Sequence, residues 1–151
     1  MKKKKLKFFI VDDDPFSVAI FRQYLIFEGY RDIQIFNSGE DCLENLDKEP
    51  DVILLDHYMT PIMGMEVLKK VKERKPGIYV VYISSSTDTH LIETSLQEGA
   101  FCYIVKGQNE FEKIISELQK IKAALDARKE VNFKNNSNFS LSYNRNNFML
   151  S

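Results

Sequence analysis

The sequence predicts an α/β fold built on a parallel five-stranded sheet. Five short apolar runs occupy residues 6–11, 33–36, 52–55, 78–83 and 101–105, and each is followed by a helix-like segment. Runs without polar alternation are typical of strands that are covered on both faces, as in parallel sheets. The regular alternation of strand and helix favours right-handed crossovers between parallel strands.

Helix signals occupy the segments between the runs. Asp14 offers an N-cap, Pro15 suits the first helical position, and Gly29 marks the end of the first helix. The remaining helices are predicted to begin near Asn37 or Ser38, at Gly64, at Thr87 or Asp88, and near Asn109, with the last one running to about Glu130. Five such units match a doubly wound (βα)5, flavodoxin-like fold with strand order 2-1-3-4-5.

The composition is that of an ordinary globular protein, and it argues against several classes of function. The net charge of −1 gives no basic excess for direct DNA binding. No apolar run reaches the roughly 18 residues of a membrane span. Cys42 and Cys102 lie far apart and outside any metal-type pair, which favours a reduced, cytoplasmic protein.

The C-terminal part of the chain has a different character. We expect one domain over residues 1–130, with an extended fifth helix, and an asparagine-rich, disordered tail over residues 131–151. This tail is too short for a DNA-binding output domain, which favours a single-domain protein that acts through protein contacts. The projecting end of the fifth helix is a candidate homodimer surface, because apolar residues recur along the helix at Phe111, Ile114, Leu118, Ile121 and Leu125.

Polar residues follow four of the five predicted strands. Asp12 and Asp13 follow the first strand, Asp56 the third, Ser84 the fourth and Lys106 the fifth. In doubly wound sheets the ligand site lies at the carboxyl ends of the strands, so these side chains are predicted to share one crevice.

The residue types in this crevice suit phosphoryl transfer. Neighbouring carboxylates repel one another unless a cation compensates, and Mg²⁺ prefers oxygen ligands such as those of the three aspartates. Lys106 and the Ser84 hydroxyl would neutralise charge on phosphoryl oxygens. Asp56 is then the expected nucleophile, which forms an aspartyl-phosphate.

Four spaced motifs resemble the receiver domain of two-component response regulators, of the single-domain, chemotaxis-regulator-like kind, over residues 6–127. They are FFIVDDDP at 8–15, DVILLDHYMTPIMG at 51–64, VVYIS at 80–84 and GAFCYIVKG at 99–107. The resemblance implies that Asp56 is the phosphoacceptor, and that Mg²⁺ or Mn²⁺ binds Asp12, Asp13, Asp56 and the backbone carbonyl of Tyr58. It further implies phosphoryl-binding and switch roles for Ser84, Lys106 and Tyr103, and tuning of dephosphorylation by Tyr58 and Ser86.

The same resemblance implies a signalling function. A phosphohistidine on a sensor histidine kinase or histidine phosphotransfer protein donates the phosphoryl group to Asp56. The surface of the fourth helix, fifth strand and fifth helix then changes its affinity for a downstream protein target. Under this interpretation the protein is not an enzyme, beyond self-catalysed phosphorylation and slow autodephosphorylation, and neither DNA nor a membrane is an expected partner.

Two positions depart from the pattern of the family. Gly107 follows Lys106 where proline is usual, which predicts a more mobile lysine loop and no cis bond at that position. Thr60 stands where proline is usual, and Pro61 comes one residue later. His57 is expected to face solvent, because no second ligand lies at metal-binding spacing from it.

Three other functions stay open. A non-phosphorylated, receiver-like binding module would normally lack an aspartate or the lysine, and all of these are retained. An aspartate-nucleophile phosphatase of the haloacid dehalogenase type would carry a DxDxT-like motif after the first strand, where Asp14 and Pro15 stand instead. An FMN carrier would have a hydroxyl-rich phosphate loop at the same place.

Overall fold

The computed structural model describes residues 5–148 of the chain and, among them, the side chains of residues 5–138. This range contains the strands β1 (Phe8–Val11), β2 (Ile33–Phe36), β3 (Val52–Asp56), β4 (Tyr79–Ser84) and β5 (Cys102–Val105). All neighbouring strands pair in parallel, in the order β2-β1-β3-β4-β5. The predicted doubly wound fold is therefore confirmed.

The helices are α1 (Pro15–Phe27), α2 (Gly39–Glu44), α3 (Gly64–Arg74), α4 (Thr89–Gln97) and α5 (Glu110–Phe148), with a short 3₁₀ turn, Leu46–Lys48, after α2. Three of them begin at a side-chain cap. Asp14, Ser38 and Asp88 each accept a hydrogen bond from a backbone amide in the first turn of their helix. Such a bond satisfies an amide that the first turn leaves unpaired, which is why these residue types mark helix starts in the sequence.

The centre of the sheet is covered on both faces, which explains the unbroken apolar runs. Every residue of β1 and β3 is buried, whereas β2 at the sheet edge is only partly buried. Burial of apolar surface contributes about 25 cal/mol per Å², so these central strands supply much of the stability of the fold. A rigid sheet centre also fixes the ends of its strands, where the polar residues stand.

The last helix differs from the prediction. The sequence predicts a helix end near Glu130 and a disordered tail after it, whereas α5 continues to Phe148; residues 149–151 lie outside the described range. Residues 110–148 contain neither proline nor glycine, and the helix propensity of asparagine is less than about 1 kcal/mol worse than that of alanine. The chain divides after Glu117 into two units. Among the described residues, no helix combines the length and the apolar character that crossing a bilayer requires.

Candidate functional site

Three carboxylates meet at the carboxyl ends of β1 and β3. These strands are neighbours with Val11 opposite Leu55, so the next residues, Asp12 and Asp56, lie side by side. Asp12, Asp13 and Asp56 each offer a carboxylate oxygen, and these oxygens lie within 4.8 Å of one another. Asp12 and Asp56 are buried, whereas Asp13 is exposed. An oxygen set of this kind suits a hard divalent cation, so the residues fit Mg²⁺.

Lys106 reaches the same carboxylates across β4. It follows β5, which lies two strands from β3, a separation of about 10 Å at ordinary strand spacing. Its long side chain bridges this gap, and Nζ lies 2.8 Å from Asp56 Oδ1 and 3.3 Å from Asp12 Oδ2. The ammonium group therefore pairs with both buried carboxylates.

The electrostatics of this cluster favour a bound cation. Burial raises the pKa of Asp56 to about 6, the Lys106 hydrogen bond lowers it only in part, and the charges of Asp12 and Asp13 raise it further. Burial also raises the pKa of Asp12, although hydrogen bonds from the Asp14 amide and Lys106 oppose the shift. Burial by itself would lower the pKa of Lys106, but its interactions with Asp56 and Asp12 outweigh burial, and the pKa is raised. The single positive charge of Lys106 thus offsets the negative charge of the three carboxylates only in part.

Ser84 and Tyr103 are both connected to Ser86. Ser84 ends β4, the strand between Asp56 and Lys106, and its fully buried Oγ accepts a hydrogen bond from the Ser86 amide at 3.1 Å. The Tyr103 hydroxyl donates to the Ser86 carbonyl at 2.7 Å. Burial raises the pKa of Tyr103, so this hydroxyl keeps its proton at neutral pH. Two of the three residues with an expected phosphoryl-binding or switch role, Ser84 and Tyr103, therefore hold the same residue of the loop after β4.

His57 does not face solvent as expected. It is partly buried, its Nδ1 is hydrogen-bonded to the Tyr82 hydroxyl, and burial lowers its pKa. Tyr82 is fully buried in β4, and a buried hydroxyl needs a partner, which accounts for the inward turn of the imidazole. The ring of Tyr58 packs edge-on against His57 with 4.6 Å between centroids, and it stays 51% exposed.

Two glycines shape the loops beside the carboxylates. A Cβ on Gly64 would lie 2.2 Å from the carbonyl oxygen of Asp56, so only glycine allows α3 to begin this close to β3. Gly107 has a φ of +79° with open space around the position of a Cβ. In the part of the chain that the structure describes, the cis peptide bond is Thr60–Pro61, so the Lys106–Gly107 bond is trans, as predicted.

Two contacts of the site were not predicted from the sequence. Besides the pair formed by His57 and Tyr82, Ser17 Oγ lies 3.4 Å from Lys106 Nζ and donates to Asp14 Oδ2 at 2.9 Å. A signal for Ser17 is its place three residues after the N-cap Asp14, a spacing at which side chains of the first helical turn meet. A signal for Tyr82 is that it carries one of the two hydroxyls, with Tyr79, in the otherwise apolar run at 78–83.

Open recesses flank the carboxylates on two sides. One of about 490 Å³ lies between α1 and β2, and its lining includes Asp13, Val18 and Ile35. The other, of about 350 Å³, lies between the loop after β3 and the start of α4, and its lining includes Tyr58 and Leu91. The cluster is therefore bordered by partly apolar surface that a second protein can contact.

Comparison with known proteins agrees with the fold. A model of the family described as the response regulator receiver domain matches residues 8–119. The probable C4-dicarboxylate response regulator DctR of Bacillus subtilis is 26% identical over 144 residues, which cover 94% of this chain and 60% of DctR. The chain thus spans less than two thirds of the length of that relative.

Solved structures of receiver domains have the same fold as this chain. A response regulator receiver domain protein (CheY-like) from Methanospirillum hungatei superposes with a TM-score of 0.70 at 28% identity, over 84% of this chain and 98% of that one. The BeF3-activated receiver domain of DrrB, from Thermotoga maritima, superposes with a TM-score of 0.69 at 25% identity, over 78% and 97% of the two chains. Because the family model extends from β1 into α5 and includes all the strand ends that form the site, the chain belongs to the response regulator receiver domain family.

Proposed function

We propose that this protein is a phosphorylation-activated signalling receiver in which Asp56 accepts the phosphoryl group. The observation that carries the proposal is the 2.8 Å contact of buried Asp56 with Lys106 inside a cluster of three carboxylates. Receiver domains of this family are signalling modules rather than conventional enzymes, and they interact with histidine kinases and downstream targets. The proposed donor is accordingly a phosphohistidine on a sensor kinase or phosphotransfer protein.

The groups at the strand ends divide the chemistry of transfer among them. A carboxylate oxygen of Asp56 attacks phosphorus, the P–N bond to the donor imidazole breaks, and its electron pair stays on the imidazole nitrogen. Lys106 and the Ser84 hydroxyl then bind phosphoryl oxygens. Mg²⁺ held by Asp12, Asp13, Asp56 and the Tyr58 carbonyl would supply further positive charge to those oxygens. The ionised form of Asp56 that attack requires predominates above its pKa of about 6.

Ser84 and Tyr103 carry the proposed response. Drawing the Ser84 hydroxyl toward a phosphoryl oxygen lengthens the hydrogen bond that it accepts from the Ser86 amide. This is one of three hydrogen bonds that hold Ser86, and the other two are at its carbonyl and its Oγ. The loop after β4 is then less restrained at the Ser86 amide and shifts, and the Tyr103 ring turns with it. The surface of α4, β5 and the start of α5 consequently changes its affinity for a downstream protein.

The surroundings of the cluster suit contact with a donor protein. Phe16 in the first turn of α1 is 73% exposed, and Met63 immediately before α3 is 38% exposed. Phe16 lies in the helix that follows Asp12 and Asp13, and Met63 lies in the loop that follows Asp56, so a docked donor protein would bury both side chains near the cluster.

We also propose the homodimer that the sequence predicts. Val131 and Phe133 of α5 are exposed apolar residues that a second copy could cover. Sedimentation equilibrium tests this proposal.

Mass spectrometry of the intact protein tests the phosphoacceptor. After incubation with acetyl phosphate or phosphoramidate and Mg²⁺, we expect a gain of one phosphoryl group, ~80 Da. The gain should be absent with EDTA and in Asp56→Asn, and present in Asp47→Asn, which alters an exposed carboxylate in the 3₁₀ turn. A gain that survives Asp56→Asn would exclude Asp56 as the acceptor. No gain in the wild-type protein would favour a binding module that is not phosphorylated.

A further inference from the structure

The ammonium group of Lys106 has three acceptors, and one of them is not a carboxylate. It donates hydrogen bonds to the carboxylates of Asp56 and Asp12, and the third acceptor is Ser17 Oγ on α1, at 3.4 Å. Since an ammonium group carries three N–H donors, these three acceptors match its capacity. Lys106 is thus held from the sheet on one side and from α1 on the other.

The Ser17 hydroxyl has a defined orientation. Its proton is donated to Asp14 Oδ2 at 2.9 Å, which leaves the oxygen lone pairs for Lys106. Asp14 is itself fixed as the N-cap of α1, because its other carboxylate oxygen accepts from the Phe16 amide at 3.1 Å. Asp14, Ser17 and Lys106 therefore form a directed chain of hydrogen bonds that begins at a helix start.

A second residue of α1 supports the same placement. Phe21 lies one helical turn after Ser17 and so presents its side chain on the same face of the helix. It is 3% exposed, and the centre of its ring is 6.0 Å from Lys106 Nζ. The hydroxyl and the ring together border the ammonium group on the α1 side.

The loop that carries Lys106 gives its side chain less support. The Lys106 amide is fixed by the Ser84 carbonyl at 2.9 Å, but the next residue is Gly107, with a φ of +79° and open space where a Cβ would stand. The turn is closed by one long hydrogen bond, from the Gln108 amide to the Val105 carbonyl at 3.4 Å, and Gly107 adds no side-chain contact to it. The side-chain contacts with α1 supply restraint that this loop lacks.

We propose that Ser17 is a positioning residue for Lys106 in phosphoryl transfer, and that Asp14 orients it. The inference rests on the proposed function, since it assigns Ser17 a part in the same site. Ser17 acts through the lysine: it keeps the ammonium group within bonding distance of Asp56, where the phosphoryl oxygens arrive. Losing this restraint lowers the fraction of molecules in which Lys106 is correctly placed, and the rate of transfer falls with it.

The rate of Asp56 phosphorylation by phosphoramidate, at saturating Mg²⁺, tests the proposal in the full chain. Ser17→Ala is expected to slow phosphorylation about fivefold, the size expected for one ordinary hydrogen bond. Ser17→Thr, which keeps a hydroxyl, should restore most of the rate. Ser116→Ala makes the same exchange at an exposed position of α5 and should leave the rate unchanged.

A double-mutant cycle distinguishes positioning of the lysine from a general structural effect. In a Lys106→Met background, Ser17→Ala should have no further effect, because the group that Ser17 positions is gone. An unchanged rate in Ser17→Ala, or an equal loss with and without Lys106, overturns the positioning role while the phosphoacceptor assignment stands. A wild-type protein that gains no phosphoryl group overturns the proposed function itself, and the inference falls with it.

Discussion

Replacing Asp56 by asparagine is expected to stabilise the protein in the absence of divalent cations, because the pocket raises the free energy of the ionised carboxyl. Burial and the neighbouring carboxylates raise the pKa of Asp56 from 3.8 to about 6. At about 1.4 kcal/mol per pKa unit, this shift corresponds to about 3 kcal/mol of destabilisation at neutral pH. The pocket opens to solvent at the exposed Asp13, so screening reduces the expected effect to about 2 kcal/mol.

The sign of the pH dependence follows from the direction of the shift. The folded state holds the proton of Asp56 more tightly than the unfolded chain does, so the unfolded chain binds fewer protons between pH 3.8 and about pH 6. The contribution of Asp56 to stability is therefore fully present below the unfolded pKa and is lost as the pH rises through the folded pKa. Asparagine has no proton to lose, so the advantage of Asp56→Asn should be small near pH 4 and complete near pH 7.

Urea denaturation in EDTA, followed by circular dichroism at several pH values, measures this difference, with Asp47→Asn as the control for an exposed carboxylate. Adding Mg²⁺ should stabilise the wild-type protein more than Asp56→Asn, because the cation offsets the repulsion that the substitution removes. An Asp56→Asn variant less stable than wild type at pH 7.5 in EDTA would contradict the reasoning. It would mean that the ion pair with Lys106 stabilises the folded protein by more than burial and carboxylate repulsion destabilise it.

Three further substitutions test residues that surround the site. Gly64→Ala should destabilise the protein by more than about 2 kcal/mol in urea, because the new Cβ would stand 2.2 Å from the Asp56 carbonyl oxygen; a loss under about 1 kcal/mol would show that α3 can shift freely. Tyr82→Phe should cost about 1 kcal/mol and shift the NMR signals of the His57 imidazole, because Nδ1 loses its partner; unchanged signals would refute the pairing. Tyr58→Ala should speed dephosphorylation roughly fivefold, about 1 kcal/mol of barrier, if the Tyr58 ring shields the acyl phosphate from water, and an unaltered lifetime of the phosphoprotein would exclude that role.

The carboxylate cluster could be predicted from the sequence because only chain order and strand register are needed to build it. Once β1 and β3 are neighbours in a parallel sheet, Asp12 and Asp56 must lie side by side at its carboxyl edge. Lys106 required one more step, since its strand lies two places away, but a long side chain spans that distance. Asp12 follows the buried strand β1, Asp56 ends the buried strand β3, and Lys106 follows the partly buried strand β5.

The contacts of His57 and Ser17 could not be predicted in this way. They join residues 25 and 89 positions apart through side-chain rotamers, which register alone does not determine. Loop histidines and first-turn serines are also usually exposed, so the sequence by itself favours a solvent-facing side chain at both positions. The end of α5 failed for a different reason: asparagine weakens a helix gradually, whereas proline or glycine would have marked a definite end.

Gly107 shows how a local sequence rule and the structure around it can lead to different conclusions about one residue. A glycine after Lys106 predicts a mobile loop, and the structure gives Gly107 a positive φ, a conformation that glycine adopts without steric cost. The ammonium group is nevertheless bonded to two carboxylates and to Ser17, so mobility of the backbone after Lys106 does not require mobility of its charge. If the double-mutant cycle links Ser17 to Lys106, then helix α1 performs in this receiver part of the positioning that a rigid lysine loop would otherwise provide. A rigid proline could not take over this role at position 107. Gly107→Pro is expected not to speed phosphoryl transfer, because proline requires a φ near −65° and this position has +79°.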